Sequence, residues 1–261
     1  MPRFENWILL TATITPMAKA NVTLRADPAQ RLQDYEEALR FYLTRPGGKI
    51  DGIYFLENSD SDLSSLRAIA RDENPRNIPV VFFSALADCD PELGKGHSEL
   101  QLMDRCFEAH IAGKPETHRV WKITGRLKIQ NIEKLIEKAP DGFGVYIDMR
   151  LVPSYLKGFG TDRWADTRII GFTPEGYRGH FHGKKAIVGT QGPMSHVVEL
   201  ALFPPLYDAW KQGDAIAPRF TVQPIMLGVG AESLKDYNDA SARLKNLIRS
   251  ATRTVAPGLW L

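Results

Sequence analysis

Apolar and amphipathic segments alternate along the first half of the chain, and this alternation predicts a succession of strands and helices. Residues 7–14 are apolar and β-branched and end at a Thr-Pro pair, which is typical of a buried strand followed by a loop. Further strands are predicted over residues 50–56, 78–84, 119–124, 144–148 and 167–172. Helices are predicted over residues 28–43, 62–70, 98–110 and 132–138. This order favours an open, mostly parallel sheet covered on both faces.

The pattern changes after residue 192, where helical segments dominate. Residues 194–210 predict an apolar helix interrupted by Pro204 and Pro205, and residues 220–227 predict an extended segment. Residues 234–252 predict an amphipathic helix with a basic polar side. Because no low-complexity linker separates the halves, we expect a single Rossmann-like α/β domain. Residues 1–170 would form its ligand-binding part, and residues 171–261 a helical C-terminal elaboration on the acceptor side.

The composition excludes several classes of protein. The chain has 261 residues, with 33 basic and 31 acidic side chains. Its net charge of +2 is too small to indicate a surface that binds nucleic acid. Its two cysteines form no metal-binding pattern, and few cysteines suit a reducing compartment. The short apolar segment near the start lacks the features of a signal peptide. We therefore expect a cytoplasmic protein, whose basic C-terminal helix also allows peripheral contact with the inner membrane face.

Two polar clusters follow the first two predicted strands, where open α/β sheets bind ligands. Thr11 and Thr13 point to one side of the first strand, so their hydroxyls can line a pocket for a base or a ribose. Ordinary β-propensity explains them as well. Glu57, Asn58 and Ser59 follow the second strand, where a carboxylate can accept ribose hydroxyls and Asn can read a base edge. A helix-capping loop is the competing interpretation.

A third cluster opens the predicted helix at residues 98–110. Lys95 stands between two glycines, and Gly96 allows a ligand to approach the backbone at a helix N-terminus, an arrangement suited to a phosphate or carboxylate. Glu99 lies in the first turn, where it can also simply complement the helix dipole. The spacing is not that of a Walker motif, which excludes that class of ATPase.

The fourth cluster, at the end of the strand over residues 119–124, is the most specific. Lys122 and Thr124 share one face of the strand, and Gly125 lets Arg126 emerge at its tip. Several donors at one strand end favour an anion such as a diphosphate or an acidic sugar. A structural salt bridge is the alternative.

Three carboxylates are candidate bases for activating an acceptor hydroxyl, namely Asp148, Asp166 and Glu199. Glu199 is favoured because it lies in an otherwise apolar helix, where burial raises a carboxyl pKa, and His196 would share its helical face. Arg168 can instead neutralise it as a structural partner.

His180 and His182 lie in a glycine-rich basic segment on the acceptor side. A surface loop that closes over phosphates or meets an anionic acceptor is the favoured interpretation. Two histidines spaced by one residue on a strand could also bind a metal with a carboxylate.

These short motifs together resemble bacterial glycosyltransferases of surface-polysaccharide and lipopolysaccharide clusters, over roughly the first 170 residues. The residues that carry the resemblance are Leu10-Thr-Ala-Thr-Ile14, Asp27-Pro28 with residues 31–42, Glu57-Asn58-Ser59, the segment 94–99 and Lys122-Ile-Thr-Gly-Arg126. The resemblance implies a GT-A-type fold in which the opening strand and residues 57–59 flank the nucleotide of a nucleotide sugar. It also implies that residues 122–126 lie near the diphosphate or the donor sugar.

One departure from the GT-A pattern affects the expected cofactor. Such enzymes usually carry an Asp-x-Asp pair that holds a divalent metal, whereas Thr-Gly-Arg stands at the corresponding strand end. Lys122, Arg126 and Lys95 would then stabilise the leaving group, so a metal is not expected to be essential, although Asp148 could act as a lone ligand. The sequence thus predicts an inverting glycosyltransferase acting on a glycan or lipid-linked acceptor. A sugar-phosphate nucleotidyltransferase and a non-catalytic nucleotide or glycan-binding module are the alternatives.

Overall fold

A seven-stranded sheet forms the centre of the computed structural model, which describes residues 3–16, 24–88, 93–153, 155, 163–189, 197–230, 236–256 and 258–261. Its strands are Glu5–Ala12 (β1), Gly52–Glu57 (β2), Val80–Ser84 (β3), His118–Thr124 (β4), Val145–Leu151 (β6), Arg163–Phe172 (β7) and Ile216–Ala217 (β8). Lys128–Ile129 (β5) and Met226–Leu227 (β9) form a separate antiparallel pair.

Seven α-helices surround the sheet in the part of the chain that the structure describes. They are Pro28–Leu43 (α1), Ser64–Asp72 (α2), Lys95–Cys106 (α3), Ile132–Glu137 (α4), Pro174–His180 (α5), Val198–Gln212 (α6) and Ala240–Val255 (α7). A π-helical turn, Phe107–Ile111, continues α3, and a 3-10 turn occupies Lys184–Ile187. None of the described helices combines the length and apolar character required to cross a membrane.

The strand order is β3-β2-β1-β4-β7-β6-β8, and β7 is antiparallel to both of its neighbours. The other pairings are parallel, which confirms the predicted α/β class with a mostly parallel central sheet. Ile8 and Leu10 face the α1 side and Leu9 faces the α3 side, because successive side chains of a strand point to opposite faces. Both faces of β1 are therefore buried.

The carboxyl ends of the central strands meet at one edge of the sheet. Thr11 lies opposite Thr124 of β4, and Ala12 lies opposite Glu57 of β2. Ser84, at the end of β3, lies opposite Glu57 in turn. The first, second and fourth clusters of the sequence analysis thus begin at this edge.

An irregularity in the pairing of β6 with β7 shapes the neighbouring part of this edge. Ile147 lies opposite Ile170, but the next residue, Asp148, lies opposite Asp166. Residues 167–169 of β7 are therefore extra relative to β6, as in a β-bulge, which re-aims side chains and frees backbone groups from the ladder.

Three predicted boundaries differ from the structure. The helix predicted over 194–210 continues through Pro204 and Pro205 as α6, because Leu202, Phe203 and Leu206 around the prolines are buried against the core. The amphipathic helix starts at Ala240, where the Asp239 side chain caps it. Of the segment predicted as extended over 220–227, only β9 is a strand.

Candidate active site

The loops after β1 and β2 are joined by hydrogen bonds centred on Glu57. This carboxylate is fully buried and accepts from the backbone N–H groups of Ile14 at 3.2 Å and Ser59 at 2.9 Å. The Thr13 hydroxyl donates to Asn58 Oδ1 at 2.6 Å. Glu57 therefore fixes the shape of the edge, while the Asn58 amide nitrogen makes no hydrogen bond to another described residue.

Helix α1 holds the loop after β1 through hydrogen bonds of Arg31 and Tyr35. Arg31 is buried and donates through Nε to the Thr13 carbonyl at 2.6 Å and through Nη2 to the Tyr35 hydroxyl at 2.9 Å. The same hydroxyl accepts from the Thr13 N–H at 3.0 Å. The sequence places Tyr35 on an apolar stripe, and nothing in its spacing indicates this role.

Lys122 lies at the centre of a buried network on the α3 side of the sheet. Its ammonium is 2.8 Å from Glu99 Oε1 and donates to the Thr167 carbonyl at 2.7 Å, and the side chain is 1% exposed. The Thr11 hydroxyl donates to the same Glu99 oxygen at 2.6 Å. The carbonyl of Thr167 is available because that residue lies in the bulge of β7. Two of the three ammonium N–H groups are thus used inside the protein.

Glu199 extends this network from the first turn of α6. Its Oε1 accepts from the Thr167 hydroxyl at 3.0 Å. Burial raises the pKa of the Glu199 carboxyl, and the negative charges of Asp166 and Glu99 raise it further. Glu199 therefore joins the network through Thr167, and its carboxyl holds a proton more tightly than an exposed glutamate does.

Gly125 and Arg126 follow the end of β4, and Arg126 lies on the α1 side of the sheet, opposite to Lys122. The Gly125 N–H donates to the Thr11 carbonyl at 2.9 Å, and a Cβ atom at residue 125 would lie 2.4 Å from that oxygen. Arg126 lines a cavity of about 280 Å³ beside α1, together with the ion pair of Arg25 and Asp34. The structure therefore does not bring Arg126 and Lys122 together, because they lie on opposite faces of the sheet.

A second cavity, of about 290 Å³, lies between the ends of β6 and β7 and helix α7. We call it the cationic cavity because four basic side chains and two carboxylates are among its lining residues. They are Arg150, Arg168, Lys245, Arg249, Asp148 and Asp166.

Both carboxylates of the cationic cavity are engaged by arginines. Arg150 Nη2 and Arg168 Nε each lie 2.8 Å from Asp166, and Arg253 Nη2 lies 2.7 Å from Asp148. Burial alone would raise the pKa of Asp166, but the two guanidinium groups hold it below its usual range. Burial and the charge of Arg150 lower the pKa of Arg249 to about 10.

The start of α3 is fixed by close helix packing. Gly94 precedes the helix with a φ of 83°, in the left-handed region that favours glycine. A Cβ atom at Gly96 would lie 2.6 Å from Val198 Cβ, so α3 and α6 approach each other closely here. Lys95 is the first residue of the helix, about one turn before Glu99, whose carboxylate accepts from Thr11 near the end of β1.

The two histidines of the basic segment have separate partners. His180 ends α5 and its Nε2 is 3.7 Å from Asp214 Oδ2, whereas His182 Nε2 is 3.0 Å from Glu108 Oε1. Within the described ranges, no group of three or more His, Cys, Asp or Glu side chains could hold a metal ion. His196 lies outside the described residues.

Comparison with protein families and with curated proteins finds no match. Solved structures of similar fold include an inositol-1-phosphate CTP transferase from T. maritima, with 11% identity, a TM-score of 0.48 and coverage of 98% of this chain and 99% of that one. A 4-diphosphocytidyl-2C-methyl-D-erythritol synthase has 12% identity and a TM-score of 0.43, with coverage of 95% and 100%. A cytidylyltransferase from Leptospira borgpetersenii has 9% identity and a TM-score of 0.44, with coverage of 90% and 84%.

These names correct one expectation from the sequence. The expected function was that of a glycosyltransferase, but the similar structures carry the names of a CTP transferase, a cytidylyltransferase and a diphosphocytidyl synthase. The expectation of a glycosyltransferase is therefore wrong. The short motifs that suggested it belong to strand ends and loops that are common to open α/β sheets.

The sequence missed several residues of the site because their roles depend on tertiary contacts. Arg150 follows the register irregularity of β6, and Thr167 lies within it. The sequence predicts Arg249 and Arg253 only as part of the basic side of a helix that allows membrane contact, with a solvated face as the alternative. In the structure Arg249 lines the cationic cavity and Arg253 pairs with Asp148. Only the excess of arginine in this helix was a visible signal.

Proposed function

We propose that this chain is a nucleotidyltransferase that joins the nucleotide of a nucleoside triphosphate to a sugar phosphate or a similar phosphorylated small molecule. The observation that carries the proposal is the cationic cavity at the strand ends. Its lining has a net positive charge, and both of its carboxylates are already ion-paired. Guanidinium groups bind phosphate oxygens in bidentate geometry, so a phosphate group is a suitable occupant.

The state of the carboxylates also favours a phosphate over a hydroxyl as the nucleophile. A hydroxyl needs a base to remove its proton, whereas a phosphate monoester loses its second proton at a pKa near 6 and is ionised at neutral pH. Asp166, with its lowered pKa and two arginine partners, is a weak base. Glu199 is hydrogen-bonded to Thr167 and does not line the cavity.

In the proposed reaction, an oxygen of the phosphorylated substrate attacks the α-phosphorus of the nucleoside triphosphate. A bond forms between them, and the bond from the α-phosphorus to the oxygen that bridges to the β-phosphorus breaks. The electron pair leaves with pyrophosphate. Thr13, Asn58 and Ser59 would flank the nucleoside at the strand edge, Lys95 would contact its phosphates, and Arg150 and Arg249 would orient the attacking phosphate.

A magnesium ion that accompanies a nucleoside triphosphate is bound mainly by the phosphates and by one or two carboxylates. Among the described residues, no three His, Cys, Asp or Glu side chains come together to hold a metal ion. An ion held mostly by the nucleotide would neutralise charge on the leaving pyrophosphate.

The test is release of pyrophosphate from each common nucleoside triphosphate in the presence of a panel of sugar phosphates, with magnesium and with EDTA. Lys245→Gln and Arg249→Gln should raise KM for the sugar phosphate roughly tenfold while changing KM for the nucleotide little. Arg71→Gln is the control, because that side chain is 74% exposed and lies outside the cavity.

Binding is measured separately by thermal shift, since a ligand at 100 times its dissociation constant stabilises the protein by about 2.7 kcal/mol. Failure of every nucleotide and every sugar phosphate to stabilise the protein would contradict the proposal. Stabilisation without pyrophosphate release under any condition would instead identify a binding module.

A further inference from the structure

Helix α7 presents its polar side to the rest of the protein. Asn246 Oδ1 accepts from Gln223 Nε2 at 3.2 Å, and Arg253 forms the ion pair with Asp148. Arg249, one turn before Arg253, lines the cationic cavity. In a helix of a globular protein the inward side is ordinarily the apolar one, so the orientation of α7 is inverted.

Most of the large apolar side chains of α7 face outward as a consequence, although Ile248 is half-buried. Leu244, Leu247 and Val255 are 59%, 68% and 80% exposed, and Ala251 between them is also exposed. These four residues, which we call the α7 stripe, follow the spacing i, i+3, i+7, i+11 of a single helical face. No residue of α7 is buried. The helix is therefore held to the protein by polar contacts, while its apolar face has no partner among the described residues.

The charged side chains within α7 have one sign. Arg243 and Lys245 are exposed and flank the stripe, and residues 240–255 contain no Asp or Glu. An apolar face bordered by Lys and Arg is typical of helices that lie in the interface of an anionic bilayer, with the cations at the level of the headgroups.

A second copy of this chain is a poorer occupant of the same face. Two-fold pairing of α7 with itself would bring together two helices whose charged side chains are all basic. Because α7 carries no carboxylate, the paired helices could not compensate this repulsion with each other's side chains. An anionic lipid surface supplies the missing negative charge.

We propose that the α7 stripe binds the surface of an anionic lipid bilayer, with its leucines inserted among the acyl chains. The proposal rests on the orientation of α7 and is independent of the transferase reaction. In this arrangement the opposite side of the same helix continues to line the cationic cavity.

The test is sedimentation of the full chain with vesicles of phosphatidylcholine alone and with vesicles that also contain phosphatidylglycerol. We expect binding to the anionic vesicles that weakens as salt is added, and little binding to the neutral ones. The double variant Leu244→Gln/Leu247→Gln should abolish vesicle binding, and Arg243→Gln should weaken it about fivefold. Leu86→Gln is the matched control, because Leu86 is 55% exposed outside α7.

Thermal unfolding of each variant checks that the fold is retained, which is expected because the exchanged side chains are exposed. Absence of binding to anionic vesicles by the unaltered chain would overturn the proposal, as would equal binding by the double variant. Sedimentation velocity tests the alternative that the α7 stripe is a dimer interface. If the unaltered chain is a dimer that the double variant converts to monomers, the α7 stripe is an interface between copies and the membrane assignment is wrong.

Discussion

Replacement of Lys122 by Met tests whether the buried network on the α3 side is a structural ion pair. The variant keeps a side chain of similar length but removes the ammonium that lies 2.8 Å from Glu99. Breaking a buried pair by removing one partner costs about 3–5 kcal/mol, because the remaining charge is left without compensation. Glu99 is 24% exposed, so water compensates part of its charge and we expect the lower end, about 3 kcal/mol.

Urea denaturation followed by fluorescence measures this change directly. At about 2–4 °C for each kcal/mol in a chain of this size, the midpoint of thermal unfolding should fall by about 6–12 °C. The double variant Lys122→Met/Glu99→Gln should recover most of the loss, since it removes the uncompensated carboxylate as well. Lys128→Met is the matched control, because Lys128 pairs with Glu37 at 3.0 Å on the surface and should contribute at most about 1 kcal/mol.

Two results would refute the reasoning about Lys122. A loss no larger than that of the Lys128 control would mean that the pair is not effectively buried. A full loss that the second substitution at Glu99 does not relieve would mean that Lys122 acts through packing or through its bond to the Thr167 carbonyl.

Three further predictions follow from single contacts. Gly125→Ala should destabilise the protein by about 1–3 kcal/mol in urea, because its Cβ would meet the Thr11 carbonyl at 2.4 Å, whereas Gly113→Ala, with no atom within 4 Å, should change little. The raised pKa of Glu199 means that the folded state holds its proton more tightly, so stability should fall as pH rises above the ordinary value of 4.5. Glu199→Gln should remove this fall in stability with pH. If the variant has the same pH profile as the unaltered chain, the attribution to Glu199 is wrong. Burial raises the pKa of Cys106 to about 12, so a thiol reagent at neutral pH should leave Cys106 unmodified until denaturant is added, as peptide mapping can check.

The sequence sufficed for most of the strands and helices up to β6, but not for β5, α5 or β8. Its apolar strand at residues 7–14 and the capped helix from Pro28 correspond to β1 and α1, since local periodicity and caps determine such elements. The pairing order was not predictable in the same way. β7 lies between β4 and β6, and only contacts between distant segments establish that arrangement.

The candidate site was predictable in its location more than in its chemistry. Thr11, Glu57 and Lys122 are at or near the strand ends, as the sequence indicates. Each of these side chains, however, is hydrogen-bonded to another part of the protein, because a buried polar group must find a partner within the fold. Spacing along the chain cannot distinguish a lysine that binds a ligand from a lysine that is paired with a glutamate of a distant helix.

The position of β7 has a consequence for how the protein folds. The strands β1 to β4 come from one continuous stretch of chain, and β6 with β8 comes from a later stretch. β7 is the strand that connects these two groups, by pairing with β4 on one side and β6 on the other. During synthesis β4 remains an unpaired edge until residues 163–172 have emerged, and unpaired edges are the places where chains aggregate. Docking of β7 is thus the event that joins the two groups of strands, and before it β4 and β6 each present an edge that is open to misassembly.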